Sequence, residues 1–161
     1  MKSKIYPDWW RKHFLLVELL IALFAGACIA IWARRFHGST VLMGLVVHNR
    51  GQIYGTMASI SGSLLGFVIT AMSIVLGFSS SERLTLLKKS DHYPQLWAVF
   101  TSTIKWLGAT TILWLVALVL DTDSSPKPML LVACVTATIV AALRLIRCSW
   151  VLERIVEVLT A

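Results

Sequence analysis

The chain has 161 residues, of which 57% are hydrophobic and 14% charged, and its mean hydropathy of +0.76 excludes an ordinary soluble globular protein. A net charge of +7 suggests nucleic acid as a partner in a soluble chain, but here most basic residues flank apolar runs, where orientation in a bilayer explains them. We therefore expect an all-α integral membrane protein, one domain over residues 1–161 with four transmembrane helices, in contact with the lipid bilayer and not with nucleic acid.

The first predicted span covers residues 14–32 and follows a basic, aromatic start that includes Trp9, Trp10, Arg11 and Lys12. Aromatic rings at the headgroup level, with cations toward water, suit a helix that enters the bilayer. The apolar run is longer than a usual signal-peptide core and has no convincing cleavage site, so we expect it to be a retained anchor. A lipoprotein cleavage box ending at Cys28 is the weaker interpretation.

The second predicted span, residues 53–78, carries no charge and is long enough as a helix to cross a ~30 Å hydrocarbon core. Small and hydroxyl-bearing residues recur in it at helical spacing and share one side. This small-residue face consists of Gly55, Ser59, Gly62, Ser63, Gly66, Thr70, Ser73 and Gly77. The opposite side carries Met57, Ile60, Leu64, Val68 and Val75, which we expect to contact lipid. Glycine and hydroxyl groups gain nothing from lipid, so a neighbouring helix or water is expected against the small-residue face.

The connections differ in character. Residues 36–52 are expected to extend the second helix or to lie half-buried in headgroups, with a re-entrant segment as the alternative. After the second span, the S-x-x-E spacing of Ser79 and Glu82 predicts a short amphipathic cytoplasmic helix over 79–89.

The third span is predicted at 96–120 and a polar hairpin loop follows at 121–128. The fourth is predicted at 129–146, with its helix extending to about residue 159.

The basic residues predict the orientation of the four spans. Lys2, Lys4, Arg11, Lys12, Arg83, Lys88, Lys89, Arg144, Arg147 and Arg154 fall on the side of the two termini, whereas Arg34, Arg35, Arg50 and Lys127 fall on the other. This bias predicts that both termini are cytoplasmic and that Asp121 and Asp123 are external. The Arg34-Arg35 pair argues against this orientation, but it is outnumbered.

Three charged residues are predicted inside the spans: Glu18, Lys105 and Arg144. Each costs about 2.5–3.5 kcal/mol near the middle of a span, so an acid and two bases at neighbouring depth are candidates for an intramembrane charge cluster. The alternative is that Lys105 and Arg144 extend to the headgroups while Glu18 meets interfacial water.

No pattern in the sequence favours an enzyme. The four histidines are scattered, and no nucleophile elbow or phosphate-binding loop is present. Cys28, Cys134 and Cys148 lie in or beside apolar runs without metal-ligand spacing, which disfavours zinc and structural disulfides. We expect neither cofactor nor metal.

Two interpretations of the small-residue face stay open. Gly62 and Gly66 have the spacing that lets two helix backbones touch, so the face is in one case a packing surface alone. In the other case it contacts water, and second helices that meet around the axis of a homo-oligomer expose Ser59, Ser63, Thr70 and Ser73 to a narrow pore. The two interpretations are compatible.

The order GTMASISGSLLGFVITAMSIVLGF, then a basic loop from Arg83 to Lys89, then His92-Tyr93 before a third span, resembles the RexB-like proteins and similar uncharacterised bacterial membrane proteins. The RexB-like proteins are small four-span membrane components of lambda-type phage exclusion systems, and the resemblance covers roughly residues 50–120. It implies an ion channel of the cytoplasmic membrane that depolarises the cell when an intracellular sensor opens it. Glu18, Lys105 and a longer basic start depart from that pattern, which leaves gating and partner open.

The leading hypothesis is a small homo-oligomeric ion channel or pore of the bacterial inner membrane, a phage-defence effector that responds to a cytoplasmic sensor or activator protein. The alternative is a non-conducting scaffold or anchor that binds a partner membrane protein through the small-residue face. A proton-coupled transporter would need internal repeats or broken helices, which the sequence does not suggest.

Overall fold

A computed structural model describes residues 8–35, 38, 41, 44, 46–77, 93–122 and 125–160. Its long helices are α1 (Asp8–Arg35), α2 (Arg50–Gly77), α3 (Tyr93–Leu120) and α4 (Pro128–Thr160). Each contains a segment that is long and apolar enough to cross a membrane, and these segments are Leu16–Arg35, Arg50–Gly77, Trp97–Leu120 and Pro128–Glu153. The predicted all-α class and the four predicted spans are confirmed. The amphipathic helix predicted at 79–89 lies outside the described residues.

The chain before α2 makes a sharp turn. Val46 is helical, residues 47–49 form a turn, and His48 has a φ of 66°, which side-chain-bearing residues rarely adopt. The amide of Asn49 donates to the carbonyl of Val46 at 3.1 Å, and α2 begins at Arg50. Within the connection, residues 50–52 extend the predicted second helix, and the left-handed His48 interrupts the helix just before them.

The hairpin between α3 and α4 matches its turn-rich sequence. The amide of Ser125 donates to the carbonyl of Thr122 at 3.0 Å, and Pro128 occupies the first turn of α4, where its missing N–H costs nothing. α3 and α4 are thereby antiparallel neighbours.

The helices are arranged around this hairpin. The principal helix contacts among the described residues are α2 with α3, α3 with α4, and α1 with α4. The core lies between α2, α3 and α4 in two clusters, one around Tyr54 and Trp114 and the other around Val68 and Phe100. The α3–α4 hairpin is central, and α1 and α2 lie at the two edges.

The contact between α1 and α4 depends on one glycine. A Cβ placed on Gly26 would lie only 2.6 Å from Cγ2 of Thr136, so no larger residue fits without moving the helices apart. Most large apolar side chains of α1 point elsewhere; Phe24, for example, is 72% exposed. This exposure is what a lipid-facing helix surface requires.

Candidate functional site

The small-residue face of α2 points away from the rest of the protomer. The buried residues of α2 are Arg50, Tyr54, Ala58, Ser61 and Val68, which form the side that packs against the core. Of the small-residue face, only Gly55 and Gly62 are half-buried, and Ser59, Ser63, Gly66, Thr70, Ser73 and Gly77 are exposed. At about 100° per residue the two sets lie on opposite sides of the helix. The face is open to lipid, to water or to another chain.

Its glycines are not used for close packing against the described part of the protomer. A Cβ placed on Gly55, Gly66 or Gly77 would meet no atom within 4 Å, and one on Gly62 would make ordinary contact with Thr111 at 3.7 Å. Gly26 of α1 is the opposite case, because Thr136 fills the space beside it. Packing against the helices that the structure describes therefore does not explain the glycines of the small-residue face.

Two hydroxyl groups on this face bond to their own helix. Thr70 Oγ1 donates to the carbonyl of Gly66 at 2.9 Å, and Ser73 Oγ donates to the carbonyl of Ile69 at 2.9 Å. These bonds satisfy the hydroxyl hydrogens without a partner chain. The oxygen lone pairs remain on an exposed surface, where water or a second helix can use them.

The side of α2 that was expected to contact lipid is instead mostly core. Val68 is buried, and Met57, Leu64 and Val75 pack against the two core clusters. Only Ile60 of this set is exposed, at 49%. The prediction was wrong because large apolar side chains fill the space beside α3, where they make many dispersion contacts.

A charged cluster joins α1 to α4 inside the spans. Arg147 Nε donates to Glu18 Oε1 at 2.5 Å, and Arg144 Nη1 lies 3.3 Å from Glu18 Oε2. The side chains of Glu18 and Arg144 are 14% and 4% exposed. The predicted neighbours Glu18 and Arg144 thus lie together, and we name Glu18, Arg144 and Arg147 the Glu18 cluster.

Of the two bases predicted near Glu18, only Arg144 pairs with it, and Lys105 does not join this cluster. It is exposed on α3, and its neighbour Thr103 faces α4, where Oγ1 donates to the carbonyl of Arg144 at 3.2 Å. Two residues turn a helix by about 200°, which places Lys105 on the far side. Arg147 takes its place. Arg147 lies three residues after Arg144, a spacing that places both on one face of a helix. The predicted fourth span ends at residue 146, so Arg147 was not counted among the charges inside the spans.

A second cluster, missed from the sequence, ties the start of α2 to the hairpin. Arg50 Nη1 lies 2.6 Å from Asp121 Oδ1, Tyr54 donates its hydroxyl to Asp121 Oδ2, and the amide of Lys127 donates to Oδ1 at 2.7 Å. The side chains of Arg50 and Asp121 are 6% and 1% exposed. We name Arg50, Tyr54 and Asp121 the Asp121 cluster. Its one sequence signal is that Arg50 and Tyr54 lie one helical turn apart.

Aromatic and hydroxyl groups continue the Asp121 cluster into the core. The rings of Tyr54 and Trp114 have centroids 5.6 Å apart, and Trp114 Nε1 donates to Thr138 Oγ1 at 3.0 Å. Further inside, Thr111 Oγ1 lies 3.0 Å from Ser61 Oγ and joins α3 to α2. These bonds link the three core helices by side chains that have satisfied partners.

A small cavity lies between these three helices. Its volume is about 100 Å³, and its lining comes from residues 57–64 of α2, 107–114 of α3 and 138–145 of α4. Those segments span about 11 Å along the helix axes, against ~30 Å for the hydrocarbon core. The cavity does not form a passage across the membrane.

Among the described residues, no group of three or more His, Cys, Asp or Glu side chains is placed to hold a metal ion. The chain matches no protein-family model, no curated protein and no solved structure.

Proposed function

We propose that the protein is a small homo-oligomeric ion channel or pore of the bacterial inner membrane, in which copies meet through the small-residue face of α2. The observation that carries the proposal is the exposure of this face. Gly66 and Gly77 have open space beside them, and Ser59, Ser63 and Thr70 lie on the same exposed side. Lipid alone gives no reason for such a surface, whereas a close helix contact or water does.

The path for ions lies between copies in this proposal. The cavity inside the protomer has only about 100 Å³ and covers a third or so of the membrane depth, which supports placing the path outside the single chain. Helices that approach closely at glycine leave hydroxyl groups beside the contact, and hydroxyl oxygens can replace part of an ion's hydration shell.

We further propose that both termini are cytoplasmic, in agreement with the bias of basic residues. The Glu18 cluster then lies toward the cytoplasm and the Asp121 cluster toward the outside. In this arrangement a cytoplasmic sensor or activator protein reaches the termini and the connection between α2 and α3. A role as a phage-defence effector that depolarises the cell follows from the resemblance to RexB-like proteins, and no catalytic role is proposed.

Ion flux into liposomes that contain the purified protein tests the proposal. We expect flux from the wild type, and a loss of flux from Gly66→Leu with the oligomer preserved, because a leucine side chain occupies the open space between copies. Ile112→Leu is the matched control, since Ile112 is 63% exposed on α3 and lies outside the small-residue face. Absence of flux from the wild type at every voltage and pH would contradict the proposal.

The second candidate function is a non-conducting scaffold or anchor that binds a partner membrane helix through the same face. The hydrogen bonds of Thr70 and Ser73 to their own helix favour it, because these hydroxyl groups then need no water. If the protein is a scaffold, Gly66→Leu should release the partner helix. Liposomes that contain the wild type and liposomes that contain the variant should then both stay impermeable to ions.

A further inference from the structure

The Asp121 cluster joins three separate parts of the chain at one carboxylate. Arg50 and Tyr54 come from the first turns of α2, and the amide of Lys127 comes from the hairpin loop just before α4. Asp121 itself follows α3, and its own amide donates to the carbonyl of Ala117 at 2.9 Å. One side chain thereby fixes the beginning of α2 to the α3–α4 hairpin.

The cluster is buried, yet both charges lie at the end of their helices. Arg50 is the first residue of α2 and Asp121 is the residue after the last one of α3. A buried ion pair contributes little net stability over apolar side chains of similar volume, since both charges lose hydration. At a helix end, however, the charges regain water or headgroup contacts after only a small displacement. The open arrangement is then a minor state, populated at about 1–10%, which suits a reversible contact.

Three features of the surroundings bear on a movement of the first turns of α2. Just before Arg50 the backbone of His48 is held at a φ of 66°, an uncommon conformation that persists only where the surroundings enforce it. Further along α2, at residues 57–64, lies the cavity of about 100 Å³ between α2 and the hairpin. The principal contact of α2 is with α3, and its first turns also share a core cluster with Leu131 and Cys134 of α4, so a displacement of those turns separates Tyr54 from both helices of the hairpin.

We infer that the Asp121 cluster is a releasable clasp, and that its opening lets the first turns of α2 swing away from the α3–α4 hairpin while the middle of α2 stays packed on α3. The contact between Ser61 and Thr111 marks the region that stays in place. The clasp consists of contacts inside one protomer, so it does not require that the small-residue face line a pore. Where the face does meet other copies, the swing changes the angle at which it meets them.

Disulfide trapping at two levels of the α2–α3 interface tests the clasp. The first pair is Gly51→Cys with Leu118→Cys, since a Cβ on Gly51 lies 3.9 Å from Cδ1 of Leu118 beside the clasp. The second pair is Leu65→Cys with Gly108→Cys, where the corresponding distance is 4.0 Å and no clasp residue is near. Both pairs are made in a background with Cys28, Cys134 and Cys148 replaced by serine, and the rate of cross-linking under a mild oxidant is measured in membranes.

We expect Asp121→Asn to slow cross-linking of the 51/118 pair by about two- to tenfold, because one lost charge-assisted hydrogen bond shifts the equilibrium toward the open clasp by about tenfold or more and the closed fraction falls by a smaller factor. Cross-linking of the 65/108 pair should not change. Tyr54→Phe, which removes only the hydroxyl group, should slow the 51/118 pair by a smaller factor.

Two other results would overturn the inference. Unchanged cross-linking of both pairs in Asp121→Asn would mean that the carboxylate does not hold α2 in place. Slower cross-linking of both pairs would mean that the cluster supports the whole α2–α3 interface and that no local swing exists. Neither result depends on conduction, so failure of the clasp is distinguishable from failure of the channel proposal.

Discussion

The Glu18 cluster and the Asp121 cluster both hold a carboxylate against arginine, but they do so in different positions. Glu18, Arg144 and Arg147 lie within the spans of α1 and α4, whereas Arg50 begins its span and Asp121 follows one. Asp121 is 1% exposed and accepts hydrogen bonds from two helix side chains and a loop amide, while Glu18 is 14% exposed and is shared by two arginines of one helix.

This difference separates two uses of a buried ion pair. In the Glu18 cluster one carboxylate is shared by two arginines of α4, so its loss would leave two cations inside a span, and the cluster holds α1 against α4. The charges of the Asp121 cluster lie at helix ends, so that cluster is specific in geometry but open to release. The cost of losing a partner then depends on how many charges are left inside a span.

The largest effect is expected for Glu18→Ala. It leaves the guanidinium groups of Arg144 and Arg147 inside the spans without the carboxylate between them, and the free energy of unfolding should fall by about 3–5 kcal/mol. Reversible unfolding in mixed micelles with increasing SDS measures the change. Glu153→Ala, at an exposed position on the same helix as the arginines, should leave the unfolding curve where it is. A loss below about 1 kcal/mol would indicate that water already reaches the cluster.

A smaller loss, about 1–3 kcal/mol, is expected for Asp121→Asn. The amide can still accept hydrogen bonds, and Arg50 at the start of α2 can move its charge to the headgroups. The same SDS titration gives the value. A loss as large as that of Glu18→Ala would mean that Arg50 stays buried in the variant, which would contradict the contrast between the two clusters.

Tyr54→Phe should cost about 1 kcal/mol, because it removes one hydrogen bond to Asp121 and keeps the ring that packs on Trp114. The decisive comparison is the double variant Tyr54→Phe with Asp121→Asn. Its loss should be clearly less than the sum of the two single losses, since both changes remove the same bond. Strict additivity would show that the hydroxyl and the carboxyl group do not interact.

The smallest effect is expected for Lys105→Leu, which should change the free energy of unfolding by no more than about 0.5 kcal/mol. Lys105 is exposed on the side of α3 that faces away from α4, and leucine suits a surface in contact with lipid. A destabilisation of several kcal/mol would place Lys105 in the Glu18 cluster after all.

The four spans could be predicted because long apolar runs interrupted by charged or turn-rich segments leave few alternatives in a bilayer. The proximity of Glu18 and Arg144 could also be predicted, since a charge inside a span favours a partner at similar depth. The exchange of Lys105 for Arg147 could not, because it depends on the rotation of α3 about its axis, which the neighbours of α3 determine.

The orientation of α2 and the Asp121 cluster were beyond sequence reasoning for a related reason. Helical spacing identifies two opposite sides of α2 but does not say which one contacts α3. The clasp residues Tyr54 and Asp121 are 67 positions apart, and nothing local to either indicates the other. Contacts between segments that are far apart in the sequence can be predicted only when the arrangement of the helices is already known.

Thiol accessibility along α2 tests the central claim, that the small-residue face is the surface at which the protein functions. Cysteine is placed singly at Ser59, Ser63, Thr70 and Ser73, at buried Val68, and at lipid-facing Ile112 of α3, in the background that lacks Cys28, Cys134 and Cys148. A membrane-impermeant thiol reagent is then applied to cells in which expression collapses the membrane potential. We predict reaction at the four positions of the small-residue face and none at positions 68 and 112. Unreactive cysteines on that face in depolarised cells would contradict the claim, because ions would then cross the membrane by another path.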